Sequence, residues 1–130
     1  MKKLVIILIL FAVLMGASIY ELAFTTKYYT TTYDKLVELE DSMLVYPDNL
    51  DNPETLAKLE SVEKYWQKGK RIALMLGNHT VLRNADERMT ALGEFLRLNE
   101  NSDAMVSLKQ SQVYIKDLIK DNYPNWSNLF

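Results

Sequence analysis

The sequence predicts an all-α protein in which an N-terminal transmembrane helix is followed by an extracytoplasmic antiparallel bundle of three or four helices. Three observations carry this prediction. Lys2 and Lys3 precede an apolar run from Leu4 to Tyr20 that only Gly16 and Ser18 interrupt. After it, apolar residues recur at three- and four-residue steps, the period of amphipathic helices. Four Gly and three Pro in 130 residues are too few for an all-β sandwich, which needs a turn signal roughly every 8–12 residues.

The first element, residues 1–24, has the length of a membrane anchor. At 1.5 Å per residue, the run to Tyr20 reaches about 25 Å and its extension through Leu22, Ala23 and Phe24 about 31 Å, against a hydrocarbon core of about 30 Å. Lys2 and Lys3 on one side and Tyr20, Phe24 and Tyr28 on the other are placed to anchor it at the two interfaces. The same layout fits a secretory signal with small residues Gly16, Ala17 and Ser18 near a cleavage point; cleavage after Ala17 would put the unsuitable Met15 at minus three, and cleavage after Ser18 fits somewhat better. Retention gives a single-pass protein of the cell membrane with a cytoplasmic N-terminus, by the positive-inside rule; cleavage gives a secreted one. Residues 21–130 carry 13 basic against 17 acidic residues, a net charge of −4, which argues against adhesion to an anionic lipid surface.

Residues 25–122 are expected to form the bundle. A helix is predicted from about Tyr28 to Val45 on the steps Tyr29, Tyr33, Leu36, Leu39 and Met43, with Val37 and Leu44 beside them. The β-branched Thr25, Thr26, Thr30, Thr31 and Thr32 lower helix propensity by a few tenths of a kcal/mol each and predict a frayed neck there. The turn-rich segment from Tyr46 to Pro53 ends this helix, and Pro53 suits the first position of the next, with Asn52 as its cap. That helix carries Leu56, Leu59, Val62, Trp66, Ala73 and Leu76, with Glu54 to Lys58 as a favourable i,i+4 pair. Around Gly77 to Thr80 it either stops or bends. Leu82, Ala85, Met89, Leu92 and Leu96 form the next stripe. Ser102 is the expected cap of a last helix bearing Met105, Leu108, Ile115 and Ile119, with Tyr114 and Leu118 beside them. Residues 123–130 form an aromatic tail whose Trp126, Leu129 and Phe130 either close the bundle, dock on a partner or touch the membrane interface.

Composition narrows the chemistry. Zero Cys removes disulfides, thiolate metal sites and thiol nucleophiles, and a single His removes ordinary multi-histidine centres, so neither metal nor cofactor is expected. The net charge of −2 without a basic block argues against nucleic acid. His79 is a lone imidazole with Asp86 seven residues on; no Ser-x-x-Lys pattern, phosphate loop or nucleophile elbow accompanies it, and the chain is read as non-enzymatic. Trp66 is a core residue or a stacking platform. Gln112 falls on the apolar face of the last helix, as a buried residue fixing register or as a rim residue. Asn78-His79-Thr80 and Asn125-Trp126-Ser127 match the glycosylation sequon.

The lysine-flanked N-terminal span, the segment Lys64-Tyr65-Trp66-Gln67-Lys68, the pair Asn78-His79, the leucine-spaced stretch after it and the closing Asn128-Leu129-Phe130 together carry a resemblance. On these the chain resembles a family of small bacterial proteins, found mainly in Gram-positive spore-formers and catalogued as a domain of unknown function (four-three-six-three). It departs from that pattern in a longer loop after Val45 and in Tyr123 to Trp126. The resemblance implies an anchored helical protein without an assigned activity, in some cases encoded near a multi-span membrane protein, and gives weight to Trp66 and His79 as family-typical positions. Two functions follow as expectations. One is an accessory or interaction module for another membrane or envelope protein. The other is an extracytoplasmic sensor or small-ligand binder with a cleft near Trp66 and His79, with Trp126 and Phe130 as further contact residues.

Overall fold

The structure, a computed structural model, describes residues 1–76 and 79–122. They form four helices, α1 (Lys2–Val45), α2 (Pro53–Leu76), α3 (His79–Arg97) and α4 (Asn101–Asn122), and no strand among the described residues. α1 packs on α2 and α4, and α3 on α2 and α4, which closes a ring of antiparallel neighbours, an up-down-up-down four-helix bundle. The α3–α4 pairing is the densest and the α2–α3 pairing the sparsest. The expected stop or bend at Gly77 and Asn78 lies outside the described residues, but α2 ends at Leu76 and α3 begins at His79, so the bundle has four members.

α1 spans 44 residues, about 66 Å at the α-helical rise. Residues 1–23 are exposed, and among the described helices α1 alone is long and apolar enough to cross a membrane. From Phe24 onward the same helix becomes a wall of the bundle, burying Tyr28, Tyr29, Leu36, Leu39 and Met43. The helix expected to start near Tyr28 therefore has no separate start, and the threonine neck is not frayed. Thr25 Oγ1 donates to the Glu21 carbonyl (2.7 Å) and Thr32 Oγ1 to that of Tyr28 (2.8 Å), so the hydroxyls are satisfied along the helix itself. Thr25 and Thr32 are also buried, and that packing outweighs a propensity loss of a few tenths of a kcal/mol per residue.

The end of the bundle from which the bare half of α1 projects is called the base here, and the opposite end the tip. Local chemistry fixes the tip. Pro53 opens α2 as expected, and the Asn52 side chain accepts from the Thr55 N–H (2.9 Å) while donating to the Thr55 hydroxyl (2.8 Å). Thr55 in turn meets Ser42 of α1 at 2.7 Å. α3 ends in a Schellman motif: the Glu100 N–H reaches the Phe95 carbonyl (2.9 Å) and the Asn99 N–H that of Leu96 (3.1 Å), with Asn99 left-handed at φ 56°. Asn99 occupies a position that glycine would fill more easily because its side chain ties two loops together. It accepts from the Leu50 N–H (2.8 Å) and donates to the Asp48 carbonyl (3.2 Å). α4 starts at Asn101, one residue before the cap expected at Ser102, and the Asn101 amide donates to the Pro47 carbonyl.

The core stripe predicted for α3 is buried at all five positions, Leu82, Ala85, Met89, Leu92 and Leu96. In α4, Leu108, Ile115 and Leu118 are buried while Met105, Tyr114 and Ile119 are half-buried. Gln112 is buried and donates to Glu40 of α1 (2.7 Å), whose other oxygen accepts from Lys109 (2.7 Å), so this residue does fix the α1–α4 register. The Lys109 hydrogen bond holds the Glu40 carboxyl below its usual range; burial opposes the shift and the Gln112 hydrogen bond adds to it.

Two predictions follow from these contacts. Asn99→Gly keeps the left-handed turn but loses both side-chain bonds, whereas Asn99→Ala loses the bonds and adds a backbone penalty of roughly 1–2 kcal/mol. Denaturation midpoints of the full chain in detergent should therefore rank wild type above Asn99→Gly and Asn99→Ala last. Because the folded Glu40 value lies below the unfolded one, its contribution is present above the ordinary carboxylate range of about 4 and is lost as pH falls through the folded value. Glu40→Gln should lower stability at neutral pH by less than about 1 kcal/mol, since the ion pair is near the surface, and the gap from wild type should close in acid.

Candidate functional site

The base half of the bundle is organised around an aromatic cluster on α1 and α2. Tyr28 stacks on Trp66 (ring centroids 5.4 Å, interplanar angle 12°) and on Phe24 (6.0 Å, 12°), with Tyr29 and Tyr65 tilted against it at 5.4 and 5.7 Å. Its hydroxyl donates to the Trp66 backbone carbonyl. The ring lies so close to α2 that a Cβ at position 69 would overlap its Cδ2, Cε2 and Cζ atoms, which only Gly69 avoids. Burial raises the Tyr28 phenol well above its ordinary value, with the neighbouring Tyr29, Tyr65 and Asp86 adding to the shift, so it stays a neutral donor. Burial also pushes Tyr29 up to about 12, and its hydroxyl has no partner among the described residues.

Trp66 continues the network toward α3. It is 1% exposed, and its indole N–H donates to Asp86 Oδ1 at 2.8 Å. Asp86 Oδ2 accepts from Lys70 at 3.0 Å. Toward the tip, Arg97 forks onto both carboxylate oxygens of Glu63 at 2.9 and 3.0 Å. This bridge lies over Gly93, where a Cβ would come within 2.8 Å of Glu63 Oε1 and 2.9 Å of Arg97 Nη1. Between the two bridges the sparse α2–α3 seam opens into a groove of about 260 Å³ lined by Trp66, Gln67, Asp86, Met89 and Thr90.

The structure divides the residues singled out by sequence. Trp66 is a core residue that offers only its edge to the α2–α3 groove, and His79 is exposed and does not line it. Asp86 is held by Trp66 and Lys70, which is how its carboxylate is used in place of the pairing with His79 that the spacing offered. Lys2, Lys3 and Tyr20 are exposed on the bare half of α1, Phe24 is half-buried, and Tyr28 is in the bundle core, where its ring meets α2 instead of an interface. Trp126 and Phe130 lie outside the described residues. Sequence reasoning placed Tyr29 on the buried face but missed Gly69 and the pairing of Asp86 with Trp66. An isolated glycine inside a helical pattern was the available signal, since it commonly marks a close packing contact.

Residues 23–129 match the family model described as a domain of unknown function, DUF4363. The chain belongs to the DUF4363 family. The match starts at Ala23, one residue before α1 begins to pack, so the DUF4363 unit comprises the bundle and the segment after it, while the bare half of α1 lies almost wholly outside. No curated protein and no solved structure matches the chain. Within the DUF4363 unit, the Lys64 to Lys68 segment quoted for the resemblance supplies Trp66 to the α1–α2 contact and Tyr65 to its edge.

Gly69→Ala should destabilise the full chain by about 1–3 kcal/mol, because a fixed aromatic ring has to move. In a Tyr28→Leu background the same substitution should cost clearly less, and a double-mutant cycle on denaturation midpoints reads that coupling.

Proposed function

We propose that this DUF4363 protein is a non-enzymatic, single-span membrane protein whose extracytoplasmic bundle is an accessory or interaction module for another membrane or envelope protein. The observation that carries this reading is the continuity of α1. One helix runs from the bare apolar half into the bundle core, so the tip is held on a stiff support, about 32 Å along the axis from Phe24 to Val45. Lys2 and Lys3 ahead of the apolar run favour a cytoplasmic N-terminus. The tip exposes Leu44, Val45, Tyr46 and Leu98 close to the carboxylates Asp41 and Asp48, a combination suited to an apolar contact with a basic rim.

The ligand-binding alternative draws less support. The groove beside Trp66 is smaller than the roughly 300–1,000 Å³ typical of small-molecule pockets, and His79 is not part of it.

A photo-crosslinking amino acid at Val45, compared with one at the exposed mid-bundle Glu87, tests the interaction reading in living cells. We expect position 45 to give one recurrent membrane-protein adduct and position 87 none. Equal labelling at the two positions, or no adduct at position 45, would overturn it.

A further inference from the structure

The net charge hides a division along the bundle axis. The contact between Tyr28 and Gly69 sets Lys27 and Lys68 at one level near the base. Arg71 lies further toward the base on α2, and Arg83 is one turn above the start of α3. Among the described residues none of these four is in an ion pair, and the nearby Asp86 is already bound to Lys70. Glu21 on α1 and Asp117 and Asp121 on α4 are the acidic residues at this end, the last two offset by Lys116 and Lys120 beside them. The tip is the reverse, with Asp41, Asp48, Asp51, Glu100 and Asp103 at or near the helix ends. A chain that is acidic in total thus carries a basic base.

The same end is apolar where water would be expected. Met75 is 80% exposed, Ile72 45% and Leu76 39%, all in the last turns of α2. Leu76 lies beside Ser18, Glu21, Leu22 and Thr25, so these side chains reach the level at which the bare half of α1 ends. Directly above them a mainly apolar groove of about 320 Å³ between α1 and α2 is walled by Phe24, Tyr28, Tyr65 and Ile72, with Lys27 and Lys68 also lining it. Apolar side chains below a ring of cations is the arrangement by which interfacial helices sit at the boundary between headgroups and acyl chains.

We propose that the base of the bundle seats on an anionic phospholipid surface, with Ile72, Met75 and Leu76 entering the headgroup boundary and Lys27, Lys68, Arg71 and Arg83 binding lipid phosphates. This rests on the reading of α1 as a membrane span, and it reverses the expectation drawn from net charge. The span holds the base at the bilayer, so the lipid contact sets the tilt of the bundle rather than its attachment.

The absence of cysteine allows single nitroxide labels in the full chain. Met75→Cys reports the seat, Leu10→Cys the span and Glu54→Cys the tip, each in nanodiscs of phosphatidylcholine alone or mixed with phosphatidylglycerol. We expect the ratio of oxygen to water-soluble relaxant accessibility at position 75 to rise about threefold or more in the anionic discs, and Lys68→Gln with Arg71→Gln to remove most of that rise. A label at position 75 as open to the aqueous relaxant as the tip label, while position 10 is deep in the bilayer, would overturn the seat and leave the span standing. An aqueous label at position 10 would overturn the span and the seat together. Equal immersion in both lipids, insensitive to the double substitution, would overturn the phosphate contacts.

Discussion

The approach of the Tyr28 ring to the backbone at Gly69 is the constraint on which the rest of the structure depends. It is made where the bare half of α1 becomes a bundle helix, and it joins three kinds of interaction at one point: ring stacking on Trp66, a hydrogen bond to a helix carbonyl, and van der Waals contact with an α-carbon that carries no side chain. Any larger residue at position 69 would push the base of α2 away from α1. The α2–α3 seam, the sparsest in the bundle, has little packing with which to compensate; its polar ties are Asp86 with Trp66 and Lys70 and Glu63 with Arg97. Near the base α3 is thus tied to α1 through Trp66, in addition to its dense packing on α4.

The two ends of the bundle are fixed by different chemistry. At the tip, loop backbone that folding takes out of water has to be satisfied locally, which Asn52, Asn99 and Asn101 help to do with side-chain amides that donate, accept or do both. At the base there is little loop to fix on the α1 side, since α1 passes straight through, and packing of large aromatic rings does the work. Continuity of α1 is what makes the difference consequential: an unbroken helix transmits any tilt of the apolar half to the tip, whereas a frayed neck would have let the two parts move independently.

Periodicity made most of the fold legible. The α3 stripe, the Asn52 and Pro53 start of α2, the end of α1 at Val45 and the buried place of Gln112 all follow from local rules with a single competing reading at most. The threonine neck was misjudged because propensity is a small term that burial and back-bonding to the preceding turn exceed. The base cluster was illegible for a different reason. Tyr28, Gly69 and Asp86 are brought together by the register between three helices, and sequence spacing within one helix carries no information about register between helices. Trp66 could be assigned to the core, but its hydrogen-bond partner lies 20 residues away on another helix. His79 and Asp86 share a face in the sequence, yet the carboxylate is drawn to α2 because a buried indole N–H left unpaired would cost about 1–3 kcal/mol.

Net charge carries no information on the base for a related reason. A sum of −4 over residues 21–130 is a scalar, while what a flat bilayer would meet is the set of groups within a Debye length of about 8 Å at physiological salt. α1 and α3 run from base to tip and α2 and α4 from tip to base, so residues distant in sequence share a level and neighbours in sequence soon part. Lys68 and Arg71 descend toward the base as Glu38 and Asp41 climb toward the tip, and the antiparallel fold sorts a mixed sequence into two ends of opposite sign. Seated as proposed, the cationic base is drawn to an anionic bilayer within that distance, while the acidic tip, about 32 Å away along α1, meets repulsion only where the rod tilts down to the surface, so both effects favour an upright axis. An upright rod keeps Leu44, Val45 and Leu98 as far from lipid as the length of the bundle allows, which is the geometry that a contact with a neighbouring membrane protein's exposed domain requires.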